Sequence, residues 1–248
     1  MSHVRPAGAR LCLPKFAIIF LVVCAMIAPT VRASVVAIPE NGGAVFRKDG
    51  SKNTPASGIG RLGAQSSSFP AIQGRRAVVY VFQLPAPPLG ESPLIVDASF
   101  QFTVVMDEPD GAYNIDLGAR PIRPLNVLQP ADGLAPAALI QDNILVQPHP
   151  DSGVQTITTS PAGNAALASF LNEQYAGGLG IGQFLPLRLA PDVDPLPNED
   201  TGFDVAFGNS PTNIPVLSIT FAVPEPGIPC AAISLTFLQT RRGRRPPR

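Results

Sequence analysis

The chain has no tryptophan and only two histidines, three cysteines and three tyrosines among 248 residues. Each shortage closes off some chemistry. Cys12 and Cys24 lie near the N-terminus and Cys230 near the C-terminus, so the long stretch between them has none. No disulfide framework or Cys-based zinc site can form there, and the fold must hold by packing. His3 is close to the N-terminus, which leaves His149, set between two prolines. One histidine cannot supply a His-rich metal site, and a Ser-His-Asp triad would have to use it as its base. No G-x-S-x-G elbow offers a nucleophile, and Gly208-Asn209-Ser210-Pro211 reads as a turn. His149 therefore reads as a loop residue. Without tryptophan, a platform for stacking on sugar rings must use tyrosine or phenylalanine. Tyr80 and Tyr113 sit on strand patterns and read as core, so such a platform would need Tyr175 or an exposed phenylalanine.

Proline and glycine are plentiful, at 29 and 22 residues. That punctuation suits short strands joined by turns better than a helical bundle. Hydrophobic residues make up 45% of the chain, enough for a real core. The net charge of zero hides a division. Four cations precede position 34 and five follow position 240, which leaves nine Lys and Arg; of the eighteen Asp and Glu all but Glu225 fall between 34 and 221, so the body carries a net charge near −8. An acidic body is repelled by polyphosphate, which argues against nucleic acid as a partner.

The first 33 residues match a secretory leader. Arg5, Arg10 and Lys15 precede the apolar run Phe16–Ala28, and Val31-Arg32-Ala33 places small or permissive residues for cleavage between Ala33 and Ser34. The run has thirteen residues, short of the ~20 that span a bilayer. A lipidated Cys24 would follow Val23, where such sites normally carry Gly or Ala.

Residues 34–76 look loosely structured, with one strand beginning at Val45. Residues 77–222 look like a β-sandwich domain. Val78–Leu84 is rich in β-branched and aromatic residues, a strong strand. In Ile95–Val105, Phe100, Phe102 and Val104 alternate with Ser99, Gln101 and Thr103, as in a half-buried antiparallel strand. Asp107–Gly111 reads as a turn into Tyr113, Ile115 and Leu117, predicting a hairpin. Ile144–Val146 and Val154–Ile157 read as strand pieces. Pro161–Tyr175 changes period, with Leu167, Phe170, Leu171 and Gln174 on one helical face, Ser160 as cap and Gly177 as terminator. Strand patterns return at Phe184–Leu189, Phe203–Phe207 and Leu217–Phe221. The expected fold is mainly β: an antiparallel, jelly-roll-like sandwich with one short helix.

The C-terminal residues 223–248 have three parts. Val223-Pro224-Glu225-Pro226 is followed by an apolar stretch, Gly227–Thr240, and by Arg241, Arg242, Arg244 and Arg245. The prolines hold the motif extended, the apolar stretch seeks a bilayer, and the arginines stop translocation. At about 1.5 Å per residue the fourteen apolar residues cover about 21 Å, so spanning would need snorkelling arginines and local thinning. This order of parts resembles the PEP-CTERM sorting signal of exported bacterial proteins. The resemblance implies export, transient arrest in the inner membrane, and cleavage near Pro-Glu-Pro by exosortase, with transfer to the cell surface or exopolysaccharide matrix. The segments Tyr113–Arg120, Leu167–Asp194 and Gly202–Phe221 are also similar to parts of exported PEP-CTERM proteins with jelly-roll domains, a group that resembles carbohydrate-binding modules.

Three patterns in the body invite chemistry. Gly58-Ile59-Gly60-Arg61-Leu62-Gly63 satisfies G-x-G-x-x-G, but it follows a polar segment and no helix pattern follows, so it reads as a flexible loop and not a dinucleotide site. Asp107, Glu108 and Asp110 form one acidic group, read as a solvated turn. Asp192, Asp194, Glu199 and Asp200 form a second, whose oxygen-rich composition would suit a weak calcium site. No other cofactor is expected. The expectation is an exported structural or adhesive protein, not an enzyme, whose partners are the secretion machinery, exosortase and exopolysaccharide. A carbohydrate-binding module is the alternative. An envelope glycosidase, using paired carboxylates, comes third.

Overall fold

The computed structural model describes residues 33–37, 39–65, 74–87, 94–108, 113–146, 153–192, 202–210 and 212–222. Twelve strands and two helices lie among them. The strands are β1 (Ala33–Ala37), β2 (Pro39–Arg47), β3 (Lys52–Asn53), β4 (Ile59–Gln65), β5 (Gly74–Gln83), β6 (Ile95–Glu108), β7 (Ile115–Ala119), β8 (Ala138–Leu145), β9 (Gln155–Thr158), β10 (Phe184–Pro191), β11 (Gly202–Ala206) and β12 (Val216–Phe221). The helices are α1 (Pro130–Leu134) and α2 (Pro161–Ala176). The fold is mainly β, a curled antiparallel sheet of sandwich-like form. The strand order is β1-β12-β6-β11-β4-β5-β10-β7-β8, with β9 added on β6 and β2 on β5.

The corner of this sheet is β4. Its residues Ile59–Gly63 pair with β11, and Gly63–Gln65 pair with β5. Gly63 belongs to both ladders and has φ +123°, a conformation in which a Cβ would be strained. The two halves face each other across one core. From one side come Val78, Tyr80 and Phe82 of β5 with Leu185, Leu187 and Leu189 of β10; from the other come Phe100 and Phe102 of β6, Phe203 of β11 and Ile219 of β12.

The G-x-G-x-x-G segment is therefore not a flexible loop. It is the start of the corner strand, and Gly60 is a packing notch. A Cβ there would fall 2.1 Å from Cε2 of Phe207. Phe207 is fully buried and stacks at a tilt on Tyr80, with ring centroids 5.6 Å apart. Tyr80 also meets Phe100 and donates its hydroxyl to the carbonyl of Ala206 at 3.0 Å. That bond satisfies a hydroxyl sealed in the core and ties one half of the sheet to the other. Burial pushes the Tyr80 phenol well above the usual range.

Burial also explains why Val78–Phe82 is apolar without alternation. Val79 and Val81 face away from the main core into a second cluster with Ala44 and Phe46 of β2, flanked by Leu128 and Phe184. A layer built on α1 covers this outer face, and Gly133 lies close against Phe46. Arg123 and Asp132 pair in bidentate fashion at 2.5 and 2.7 Å, and Asp132 also accepts the Gln129 N–H at 2.7 Å. Strands buried on both faces read as continuous apolar runs.

Four expectations need correction. The segment 34–76 carries β1–β4 and the start of β5, including the buried Ala44, Phe46 and Leu62. Its glycines serve bends and close contacts. The strands at 95–105 and 113–117 do not form a hairpin: β6 pairs with β9, β11 and β12, whereas β7 pairs with β8 and β10. Alternation shows only that each strand has one buried face, a condition that any antiparallel partner satisfies. Asp107 and Glu108 belong to the end of β6, opposite Phe203 and Gly202, and not to a turn. A second helix, α1, joins the one expected. Pro186 sits inside β10 opposite Val81. Its carbonyl accepts from Arg120 N–H at 3.0 Å, so its missing donor faces the spent end of β7 and the β5 ladder loses nothing.

The helix at 161–176 has the ends expected. Ser160 Oγ accepts the Gly163 N–H at 3.1 Å, Pro161 opens the first turn, and Gly177 follows the last. Leu167 and Leu171 are buried, and Phe170 packs at the core edge. Its polar groups bind strand ends. Asn172 accepts from Ile95 N–H at 2.7 Å and donates to Ile95 C=O at 2.8 Å, so one amide satisfies both backbone groups at the start of β6. Gln174 accepts from Ile122 N–H at 3.3 Å, and Tyr175 donates to Pro85 C=O at 3.1 Å. No helix of the described residues is long and apolar enough to cross a membrane.

Two stability predictions follow from these contacts. Gly60→Ala should lower the unfolding free energy by about 1–3 kcal/mol through overpacking against Phe207, and adding Phe207→Leu should recover part of the loss. Urea denaturation of the wild type and the two variants measures both effects. Asn172→Ala should cost about 1–3 kcal/mol because two backbone groups lose their partner, whereas Glu173→Ala on the exposed side should cost almost nothing.

Candidate functional site

The most chemically distinctive group among the described residues is a set of carboxylates on β7, β8 and the end of β10. Alternation along Ile115-Asp116-Leu117 buries the two apolar side chains and leaves Asp116 half-buried on the other face. The neighbouring strand β8 is irregular at this point. Its register against β7 shifts between Ile115 and Leu117, and Asn143 takes a left-handed φ of +53°. The Asn143 N–H then turns onto Asp116 Oδ1 at 3.0 Å. Asp192 closes the group from β10, exchanging two bonds with Asn114: its N–H donates to Asn114 C=O at 3.0 Å, and its Oδ1 accepts the Asn114 N–H at 3.2 Å.

The electrostatics are those of crowded like charges. Burial holds the Asp116 carboxyl above its ordinary value, the hydrogen bond from Asn143 opposes this, and the charges of Asp142 and Asp192 raise it further. A site of this kind takes up a proton more readily than a free aspartate and would gain from a nearby cation. Among the described residues, however, no group of three or more His, Cys, Asp or Glu side chains converges as a metal shell.

Of the calcium set read from the sequence, only Asp192 lies among the described residues, and its Oδ1 accepts the N–H of Asn114. Asp194, Glu199 and Asp200 lie outside them, as do Asp110 and His149. Asp116 and Asp142 are neighbours of Asp192 that linear proximity could not reveal; they come together because β7 pairs with both β8 and β10. The one available signal was the lone acidic residue in the alternating Ile-Asp-Leu stretch.

Tyr175 is placed differently from a sugar platform. Its ring meets Phe221 edge-on at 6.1 Å, its hydroxyl is engaged by Pro85, and a Cβ at Gly180 would touch the ring at 2.7 Å. Burial pushes its phenol up to about 12. Tyr80 and Tyr113 are in the core, as expected. Among the described residues no aromatic side chain is exposed. Gly208–Ser210 forms the expected turn, closed by Ser210 N–H on Phe207 C=O at 2.9 Å.

The cleavage position expected from the sequence, Ala33–Ser34, falls within the fold. Ala33 and Ser34 are the first residues of β1, paired with Phe221 and Thr220 of β12. Val223–Pro226 and Arg241, Arg242, Arg244 and Arg245 lie outside the described residues. Comparison with protein-family models gave no match, and comparison with characterised proteins gave none either.

The carboxylate group generates a pH prediction. A folded-state value above the unfolded one means that stability is fully present below the ordinary carboxylate range and is lost as pH rises through the folded value. Asp116→Asn keeps an oxygen for the Asn143 N–H and removes the charge. It should raise Tm at pH 7, with the gain vanishing near pH 3, as followed by thermal unfolding across that range. An equal gain at both pH values would overturn the assignment.

Proposed function

We propose that this chain is an exported, non-catalytic protein of the cell surface or extracellular matrix with a structural or adhesive role. Its leader directs export, and its C-terminal Pro-Glu-Pro tail delivers it to exosortase after transient arrest in the inner membrane. The observation that carries this reading is the match between the compact unit and the two address segments. The unit runs from Arg32 to Val223, so it begins beside the leader junction at Ala33–Ser34 and ends where the Val223–Pro226 motif begins. A body that folds between two removable ends suits a protein whose ends are addresses.

Other features agree with a passive role. The body lacks cysteine, and Asn172, Gln174 and the Arg123–Asp132 pair are engaged in holding strand ends and the α1 layer. A carbohydrate-binding module is the second reading, supported by the resemblance of Tyr113–Arg120, Leu167–Asp194 and Gly202–Phe221 to exported proteins of that group. It would have to bind without an exposed aromatic from the described residues.

Mass spectrometry of the protein from its native cells tests the proposal. The expected mature chain starts at Ser34 and ends near Pro226. A surface-located protein that still carries Arg248 would rule out sorting by the tail. A glycan array run with and without calcium separates the two readings, since calcium-dependent binding lost in Asp116→Asn would favour the module.

A further inference from the structure

The first and last strands of the described body lie side by side. β1 pairs antiparallel with β12 in the register Ala33↔Phe221 through Ala37↔Leu217. Ala33, the last residue of the expected leader, therefore lies directly beside Phe221, two positions before the tail, and Ala222 is itself held by its N–H on Leu94 C=O at 2.7 Å. The Ala33–Ser34 bond is thus a rung of the finished sheet.

A peptidase must draw its substrate out as an unpaired, extended segment, because the scissile bond has to enter the catalytic cleft. Ser34 and Val35 can do this only while β1 is off β12. β1 joins nearly the first residue of the body to nearly the last, the longest-range pairing in the fold, so it cannot form until β12 has emerged and docked on β6. The topology keeps the leader junction open throughout translocation of the body and closes it at the end.

We infer that docking of β1 on β12 is a closing gate on leader processing: cleavage precedes it, and a chain that folds with its leader attached keeps the leader. This rests on the export reading above and adds the order of events. The leader is removed first, β1 closes second, and the tail junction then stands at a completed sheet edge.

The test uses the full chain, residues 1–248, with signal peptidase in detergent micelles. One sample is diluted from denaturant directly into the peptidase; another is folded first. The expected result is cleavage at Ala33–Ser34 in the first sample and at least about ten-fold slower cleavage in the second. The variant Val36→Pro with Ala37→Pro should restore fast cleavage in the folded chain. Successive strand residues point their N–H groups to opposite edges, so one of the two prolines removes a donor facing β12. Amide hydrogen exchange on the folded wild-type chain is the second measurement, and some amides of Ser34–Ala37 should be protected. Equal cleavage of the two samples would overturn the gate and leave the leader reading standing. Slow cleavage of the double-proline variant, or unprotected β1 amides, would overturn the gate in the same way. No cleavage of the unfolded chain would remove the leader reading and the gate together.

Discussion

Seating of Phe207 against Gly60 and Tyr80 is the contact on which the rest of this structure depends. With no cysteine in the body, nothing covalent holds the two halves of the curled sheet together. They are joined by an aromatic cluster in which Tyr80, Phe82, Phe100, Phe102 and Phe207 meet at centroid distances of 5.5–5.8 Å. Such rings carry a large buried area and prefer tilted or offset contacts, so they set the spacing between layers as well as filling it. Phe207 can take its place only because the corner strand carries a glycine at position 60. The hydroxyl of Tyr80 on Ala206 then fixes the relative position of β5 and β11 at the centre of the core.

A sheet that curls around such a core leaves frayed backbone at its strand ends, and α2 answers this. Its apolar face covers the core, while Asn172, Gln174 and Tyr175 reach Ile95, Ile122 and Pro85, at the ends of three different strands. Gln141 on β8 returns the favour by accepting the Ser160 N–H at the helix start. These bonds contribute little individually, but each replaces a water that the helix has displaced. The helix thereby converts an open edge into a closed side without adding another strand.

Features set by local chemistry were legible in the sequence. The cap at Ser160, the terminator at Gly177 and the period of Leu167, Phe170 and Leu171 specify α2 from neighbours alone. The alternation of Phe100, Phe102 and Val104 likewise specifies which face of β6 is buried. Partnership was not legible. The pattern in Ile115-Asp116-Leu117 fits a hairpin with β6 as well as it fits the observed pairing with β8 and β10, because alternation carries no address for the partner strand. The glycines at 58, 60 and 63 resembled a mobile loop because glycine propensity records conformational freedom, not the approach of a phenylalanine from a distant part of the chain. The carboxylate group failed to register for the same reason. Asp116 and Asp192 are far apart in sequence and become neighbours only through the β7–β10 ladder.

The same limit shapes what the fold says about function. Chemistry spread along a chain converges only where topology brings it together, and here topology brings together the two ends. β1 and β12 close the body by pairing its first described residues with its last strand, so that part of the sheet is completed only when the end of the body is in place. Edge strands are ordinarily open to further pairing and must be guarded. β12 is covered on both sides, by β6 and by β1, so the last strand before the tail is not left as an open edge.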